Sequence, residues 1–283
     1  METVLKGSRG AVRIAPDRPT VLIGERINPT GRRRLAAEFV AGNVEIVEDE
    51  ALAQVAAGAD VIDVNVGAVG VDQVALLPRA VELAQEVMEV PLSIDTPDPE
   101  ALAAALKVYQ GKPLVNSVNG EERSLSQVLP LVAEHGAAVI GLCMDDEGIP
   151  DDPHRRLEIA RKIIERAEAL GIPRKDVLID CLALTVGADP QAALVTLETI
   201  RLVRAELGVN MTLGASNVSF GLPDREVLNQ AFLAMAIWEG VNAPIVNAAR
   251  VRQTVLAVDV LLGRDEFALR YIKHYRTKRQ EGQ

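Results

Sequence analysis

Short apolar segments alternate with helical segments eight times along this 283-residue chain, and that alternation most restricts how it can fold. The strand-like runs fall at residues 20–24, 60–66, 91–95, 113–117, 137–143, 177–182, 210–215 and 243–247. Between them lie helical patterns near 45–58, 72–89, 98–109, 121–135, 153–170, 189–207, 223–240 and 250–262. Parallel strands covered on both faces read as continuous apolar runs, and the crossover helices between them pack right-handedly. Eight such units predict one α/β domain at 20–262, a (β/α)8 TIM barrel. An open doubly wound sheet would carry a glycine-rich phosphate turn after its first strand, and Gly24-Glu25-Arg26-Ile27-Asn28 does not fit one. Residues 3–6 and 11–14 flank Gly7-Ser8-Arg9-Gly10, a hairpin signal, so 1–19 is expected to cap the bottom of the barrel. The remainder, 263–283, reads as one extra helix near 264–277 and a polar tail.

The punctuation agrees with this division. Asp98-Pro99-Glu100 combines an N-cap, a proline at the first helical position and an acidic first turn; Asp152-Pro153 and Asp189-Pro190 repeat the device. Gly58, Gly136, Gly171, Gly208 and Gly240 stand where helices should stop. Apolar residues make up 48% of the chain but aromatics only 3%, so the core is built of Ala, Val, Leu and Ile, as a layered parallel sheet requires.

Composition also removes functions. The net charge is −10 with no basic stripe, which argues against a nucleic-acid partner, because phosphate neutralisation needs clustered cations. Arg32-Arg33-Arg34 and the basic stretch from Lys273 to Arg279 read as solvated surface, the first of them close to the barrel mouth. Cys143 and Cys181 form no CxxC and lie in apolar runs, so they read as buried thiols; no Cys/His pattern points to a bound metal. Met1-Glu2-Thr3-Val4-Leu5-Lys6 has no apolar signal core and no run reaches membrane-spanning length. A reducing, cytoplasmic location with no membrane partner is expected.

Almost every strand-like run ends in a carboxylate or carboxamide: Glu25, Asp63 with Asn65, Asp95, Asn116, Asp180, Asn217 and Asn247. One such residue alone is ordinarily a helix cap or a loop anchor. A regular series is different, because strand C-termini meet at one mouth of such a barrel, where its active sites lie. Carboxylates and amides there match the donors and acceptors of a 2-amino-4-oxo-pyrimidine ring. No lysine ends a strand, no Gly-x-Ser-x-Gly or Cys-His arrangement occurs, and no ligand cluster implies a catalytic metal. An amide such as Asn217 is no strong acid, but it can stabilise charge as a ring nitrogen gains a proton.

The segments Ile23-Gly24-Glu25-Arg26-Ile27-Asn28-Pro29-Thr30-Gly31, Asp63-Val64-Asn65-Val66-Gly67, Ser93-Ile94-Asp95-Thr96, Asn116-Ser117-Val118-Asn119-Gly120-Glu121 and Ser216-Asn217-Val218-Ser219 resemble, in this order, the pterin-binding methyltransferases. More narrowly, the chain is similar to methyltetrahydrofolate:corrinoid methyltransferases, both the corrinoid/iron–sulfur-protein type and the folate module of cobalamin-dependent methionine synthase, from about residue 20 to about 262. The resemblance implies a pterin-binding barrel, usually a homodimer. The implied reaction transfers the N5 methyl of methyltetrahydrofolate to the cob(I)amide (cobalamin) of a separate corrinoid protein. By the same resemblance Asp95, Asn116 and Asp180 would bind the pterin, and Asn217 would be catalytic, reaching toward N5. Asn65, Ser216 and Arg225 are further substrate-binding candidates, Arg225 for the benzoyl-glutamate tail or else a surface ion pair.

Two rivals stand beside that reading. Dihydropteroate synthase shares the pterin barrel and resembles this chain at Gly58-Ala59-Asp60-Val61-Ile62-Asp63 and Ser93-Ile94-Asp95-Thr96, but would carry a lysine and a Ser-Arg pair where this chain reads Ala215-Ser216-Asn217-Val218. A non-catalytic pterin-binding subunit of a corrinoid complex is the other. A cobalamin-carrying domain would need an Asp-x-His-x-x-Gly loop. The nearest match, Asp152-Pro153-His154-Arg155-Arg156-Leu157, has leucine where glycine is required, so the corrinoid is expected on a partner. Phe232, Leu233, Met235 and Ala236 could form a dimer stripe, though ordinary helix–barrel packing explains them better.

Overall fold

The computed structural model describes residues 1–281. A hairpin of β1 (Thr3–Lys6) and β2 (Ala11–Ile14) precedes eight parallel strands: β3 (Ile23–Ile27), β4 (Val61–Val64), β5 (Leu92–Asp95), β6 (Leu114–Asn119), β7 (Ala138–Leu142), β8 (Val177–Asp180), β9 (Met211–Thr212) and β10 (Ile245–Val246). They pair in the order β10-β3-β4-β5-β6-β7-β8-β9, and a parallel bridge between Gly214 and Ile245 joins the two ends into an (β/α)8 barrel. The helices are α1 (Arg33–Val40), α2 (Ile46–Ala56), α3 (Gln73–Val87), α4 (Pro99–Val108), α5 (Glu122–His135), α6 (Pro153–Ala169), α7 (Ala192–Glu206), α8 (Arg225–Glu239), α9 (Ala248–Leu261) and α10 (Leu269–Glu281). Among the described residues no helix is long and apolar enough to cross a membrane.

Strand side chains alternate faces, so each run divides into an inner and an outer set. Leu22, Ile62, Leu92, Ile94, Val115, Val139, Ile179 and Met211 face outward into the large core beneath the helices. Val21, Ile23, Val61, Leu114, Ala138, Ile140, Leu178 and Ala243 face inward and form a second core with Leu5 and Ile14 of the hairpin. Carrying the inner set two residues further along each strand reaches Glu25, Asp63, Asp95, Asn116 and Asp180. One periodicity therefore gives a greasy barrel bottom and a polar mouth.

The hairpin stops the bottom. Asn210 donates to Thr3 Oγ1 at 2.8 Å and to the Ile14 carbonyl at 2.9 Å, while Asn242 donates to Asn210 at 2.7 Å and accepts from the Met211 amide at 3.0 Å. Gly111 is required where it lies: its φ is +123°, and a Cβ there would stand 2.3 Å from the Lys6 carbonyl oxygen. Ile14 is fully buried in the stopper. Ile14→Ala is expected to cost about 2–4 kcal/mol in urea unfolding. A loss under ~1 kcal/mol would show that the hairpin is not part of the barrel core.

The structure moves some boundaries. The first ladder begins at Ile23 rather than residue 20, because the Thr20 and Leu22 amides bond the Asp259 and Asp60 carboxylates instead of a strand. Glu25 therefore sits within the strand. Helix α1 interrupts the simple alternation, burying Leu35 and Phe39, four residues apart, under a run that reads as merely basic. Asp98 and Asp152 cap their helices as expected. Asp189 instead accepts from Gln191 N at 2.9 Å in a turn that precedes α7. Phe232, Leu233 and Ala236 are buried against the barrel, leaving Met235 half exposed.

Candidate functional site: the polar mouth

Asp63, Asp95 and Asn116 come from three adjacent strands, with Asp63 paired to Ser93 and Asp95 to Asn116 in the ladder. Asn116 Nδ2 donates to Asp63 Oδ1 at 3.1 Å, and Asn65 Nδ2 donates to Asp95 Oδ2 at 2.8 Å. Asn65 also accepts from the Gly67 amide at 2.7 Å, which fixes its carboxamide. Burial pushes both carboxyls up. The Asp63 carboxyl goes well above the usual carboxylate range, and the neighbouring Asp95 charge pushes it further. Asp95, Asn116, Asn119, Glu121 and Arg123 line a cavity of 600 Å³ that runs out between α4 and α5.

Asp180 ends β8 on the far side of the ring. Its Oδ1 accepts from Leu182 N at 2.7 Å and its Oδ2 from Gly214 N at 3.2 Å, so both oxygens are held. Burial raises its pKa to about 6, against the pull of those amides and of the Arg156 guanidinium. Leu182 has a φ of 59°, a left-handed conformation costly for leucine and held only where the surroundings demand it. Arg156 supplies that demand. It is 1% exposed, and its Nη1 donates to the Cys181 and Leu182 carbonyls at 2.7 Å each. The sequence does contain this signal, since 156, 160, 163 and 167 share the buried face of α6.

Asn217 lies past β9 in a 3-10 turn, Ala215–Ser219. It is exposed, and its carboxamide makes no hydrogen bond with any described residue. Its neighbours are firmly held. Arg225 donates to the Ser216 carbonyl at 2.8 Å and to Ser219 Oγ at 3.0 Å, and its guanidinium lies 5.7 Å from the Phe220 ring centroid. Two of its nitrogens, Nε and Nη2, are thus engaged in the turn. Ser216, Arg225, Asn229, Asn247 and Glu25 line a cavity of 230 Å³. Burial raises the Glu25 carboxyl, with Arg26, the Ser216 hydroxyl, Arg225 and the Asn247 amide pulling the other way. A third cavity, of 810 Å³, lies on the flank of α9 and α10 and includes none of these strand-end residues.

Asn65, Asp95, Asn116 and Asp63 are thus linked on three adjacent strands, Asp180 ends β8 at the same end of the barrel, and Ser216 and Asn217 lie in the turn that follows β9. Asp63 belongs to the ring as firmly as any of them. Cys143 and Cys181 are buried, and burial pushes the Cys181 thiol well up.

Eight parallel strands, several of them ending in acids and amides, make a (β/α)8 barrel with a polar mouth. A family model described as pterin binding enzyme matches residues 24–247, and the chain belongs to that family. It is 29% identical over 266 residues to the methylcorrinoid:tetrahydrofolate methyltransferase of Eubacterium limosum, covering 90% of this chain and 96% of that protein. It is 32% identical over 254 residues to the methionine synthase of Mycobacterium tuberculosis, covering 85% of this chain but 21% of that much longer protein. The fold is shared with Yersinia pestis dihydropteroate synthase, at a TM-score of 0.72 and 19% identity over 93% of this chain and 99% of that one. The Xanthomonas albilineans enzyme matches at a TM-score of 0.66 and 23% identity over 94% of this chain and 99% of that one.

Proposed function

We propose that this protein moves the N5 methyl group between methyltetrahydrofolate and the cob(I)amide of a separate corrinoid protein. The observation that carries the reading is the exposed Asn217 carboxamide, which bonds no described residue and stands on a clamped turn after β9, at the end of the barrel where Asp95, Asn116 and Asp180 lie at strand ends. In this reading the ring binds the pterin and Asn65 holds Asp95. The reduced corrinoid, brought by its own protein, supplies the nucleophile. As the methyl–N5 bond breaks, its electron pair stays on N5. Asn217 then stabilises the N5–H that forms when a proton arrives there. Ser216 contributes the backbone position next to it, and Arg225 keeps that turn in place.

The Eubacterium limosum relative, similar over nearly its whole length, supports methyl transfer with tetrahydrofolate and a corrinoid as the partners. The dihydropteroate synthase structures share the fold alone. The turn after β9 offers Ser216-Asn217, with no lysine to serve that chemistry. The reading includes a cytoplasmic homodimer. The exposed Leu228, Met235 and Trp238, at helical spacing on α8, support the dimer.

The test is anaerobic mixing with cob(I)alamin and (6S)-methyltetrahydrofolate, following methylcobalamin by absorbance. Turnover is expected. Folate binding with no turnover, even when a corrinoid protein is supplied, would make the protein a binding subunit. Absence of folate binding would end the reading altogether.

A further inference from the structure

We propose that Asp63 is a positioning residue of the mouth: carrying a proton, it donates its O–H to Asp95 and accepts Asn116 Nδ2 on its other oxygen. It thereby orients both groups from beneath. The inference rests on the pterin reading above and adds a residue to it.

The geometry leaves Asp63 little else to do. It is 3% exposed and inward-facing, one strand from Asp95 and two from Asn116. One oxygen is committed to Asn116 at 3.1 Å. Asp95 is the inward acid of the paired strand β5, two residues beyond Ser93, the ladder partner of Asp63, and burial together with that neighbouring charge pushes the Asp63 carboxyl well up. The charges around it point the same way. From β5 it meets Asp95 and the hydroxyl of Ser93, from β6 the neutral Asn116, and from β3 only a further carboxyl, Glu25, in the same inward layer. No lysine, arginine or histidine faces it from these strands. Two adjacent buried carboxylates without a cation cannot both ionise cheaply, so the pair shares one proton and titrates as a unit. Each acid accepts from one amide, so burial decides, and the proton belongs on Asp63, which is 3% exposed where Asp95 is only partly buried.

The consequence is directional. With Nδ2 of Asn116 spent on Asp63, its carbonyl oxygen is left to face the ligand. Asp95, with Asn65 on Oδ2, presents an anion. Asp63 thus fixes both neighbours as acceptors, which suits a ring edge that carries N–H groups.

The experiment compares Asp63→Asn with Asp63→Ala, measuring methyltetrahydrofolate affinity by calorimetry from pH 6 to pH 9, with near-UV circular dichroism to confirm folding. An amide reproduces the neutral acid's pattern, accepting from Asn116 and donating to Asp95. Asp63→Asn should stay within ~3-fold of wild type at pH 7, whereas Asp63→Ala should bind about tenfold more weakly, the cost of a lost hydrogen bond and a freed partner. Wild-type affinity should fall toward the alkaline end as the shared proton leaves, and Asp63→Asn should remain flat there. A merely structural role would not move that profile. Equal losses in the two variants, or an alanine variant that binds like wild type, would overturn the proposal while leaving the pterin site standing. Wild-type protein that binds no methyltetrahydrofolate would remove the folate reading and this inference with it.

Discussion

Asn217→Ala is expected to slow methyl transfer by about 10²-fold, the usual cost of removing one donor aimed at developing charge. Methyltetrahydrofolate affinity should change far less, by ~3-fold or under, because the interaction strengthens only as N5 gains its proton. The structure explains why the two effects separate. The exposed carboxamide makes no hydrogen bond with any described residue, so its removal orphans none of them. Arg225 and the Gly214 carbonyl hold the turn backbone without it. Single-turnover kinetics against calorimetric affinity decides the matter, and parallel losses in rate and binding would return Asn217 to ordinary ligand contact.

Asp180→Asn should act on binding first. Both oxygens of Asp180 accept backbone amides, so an amide side chain would set its NH2 against Leu182 N or Gly214 N. Losing a charged acceptor at this position should weaken methyltetrahydrofolate by roughly 10–100-fold. The same group imposes a pH dependence. Burial raises its folded pKa to about 6, so the anion proposed to accept from the pterin is present above that value and lost below it. Wild-type affinity should therefore fall roughly tenfold between pH 7 and pH 5. The unliganded fold responds in the opposite sense. A raised carboxyl stabilises the native state fully below its unfolded value, and that contribution is lost as pH rises through about 6. An affinity that stays level from pH 7 to pH 5 would take Asp180 out of the ring.

The barrel is legible from the chain because one rule, the two-residue strand period within an eightfold alternation, acts at every strand. The ring inherits that legibility: Asn116 and Asp180 are each the next inward position after an apolar inward residue, and Asp95 the next after the buried inward Ser93. What stays hidden depends on contacts between distant segments. Arg156 reads as one more arginine in a helix's first turn until its target, the left-handed Leu182, is in place. Asp63 reads as a strand-end acid like the others; its special status comes from lying beside Asp95 with no cation nearby. The late start of β3 is equally non-local, because the amides ahead of it are taken by Asp60 and Asp259. Helix α1 has too few turns to show a period, and only the burial of Leu35 and Phe39 reveals it.

The stopper at the barrel bottom also has a consequence in time. Thr3 and Ile14 are held by Asn210, and Thr20 by Asp259. This segment, made before every barrel strand, therefore waits for partners some two hundred residues later in synthesis. Contacts of such sequence separation form late, because the chain between must already be ordered before they are gained. The barrel is thus sealed as a final act, by a segment made before its strands, and a nascent chain halted just before Asn210 would carry six of the eight strands, open at the bottom with the inner apolar row exposed. Such arrested chains are where aggregation and chaperone capture should concentrate.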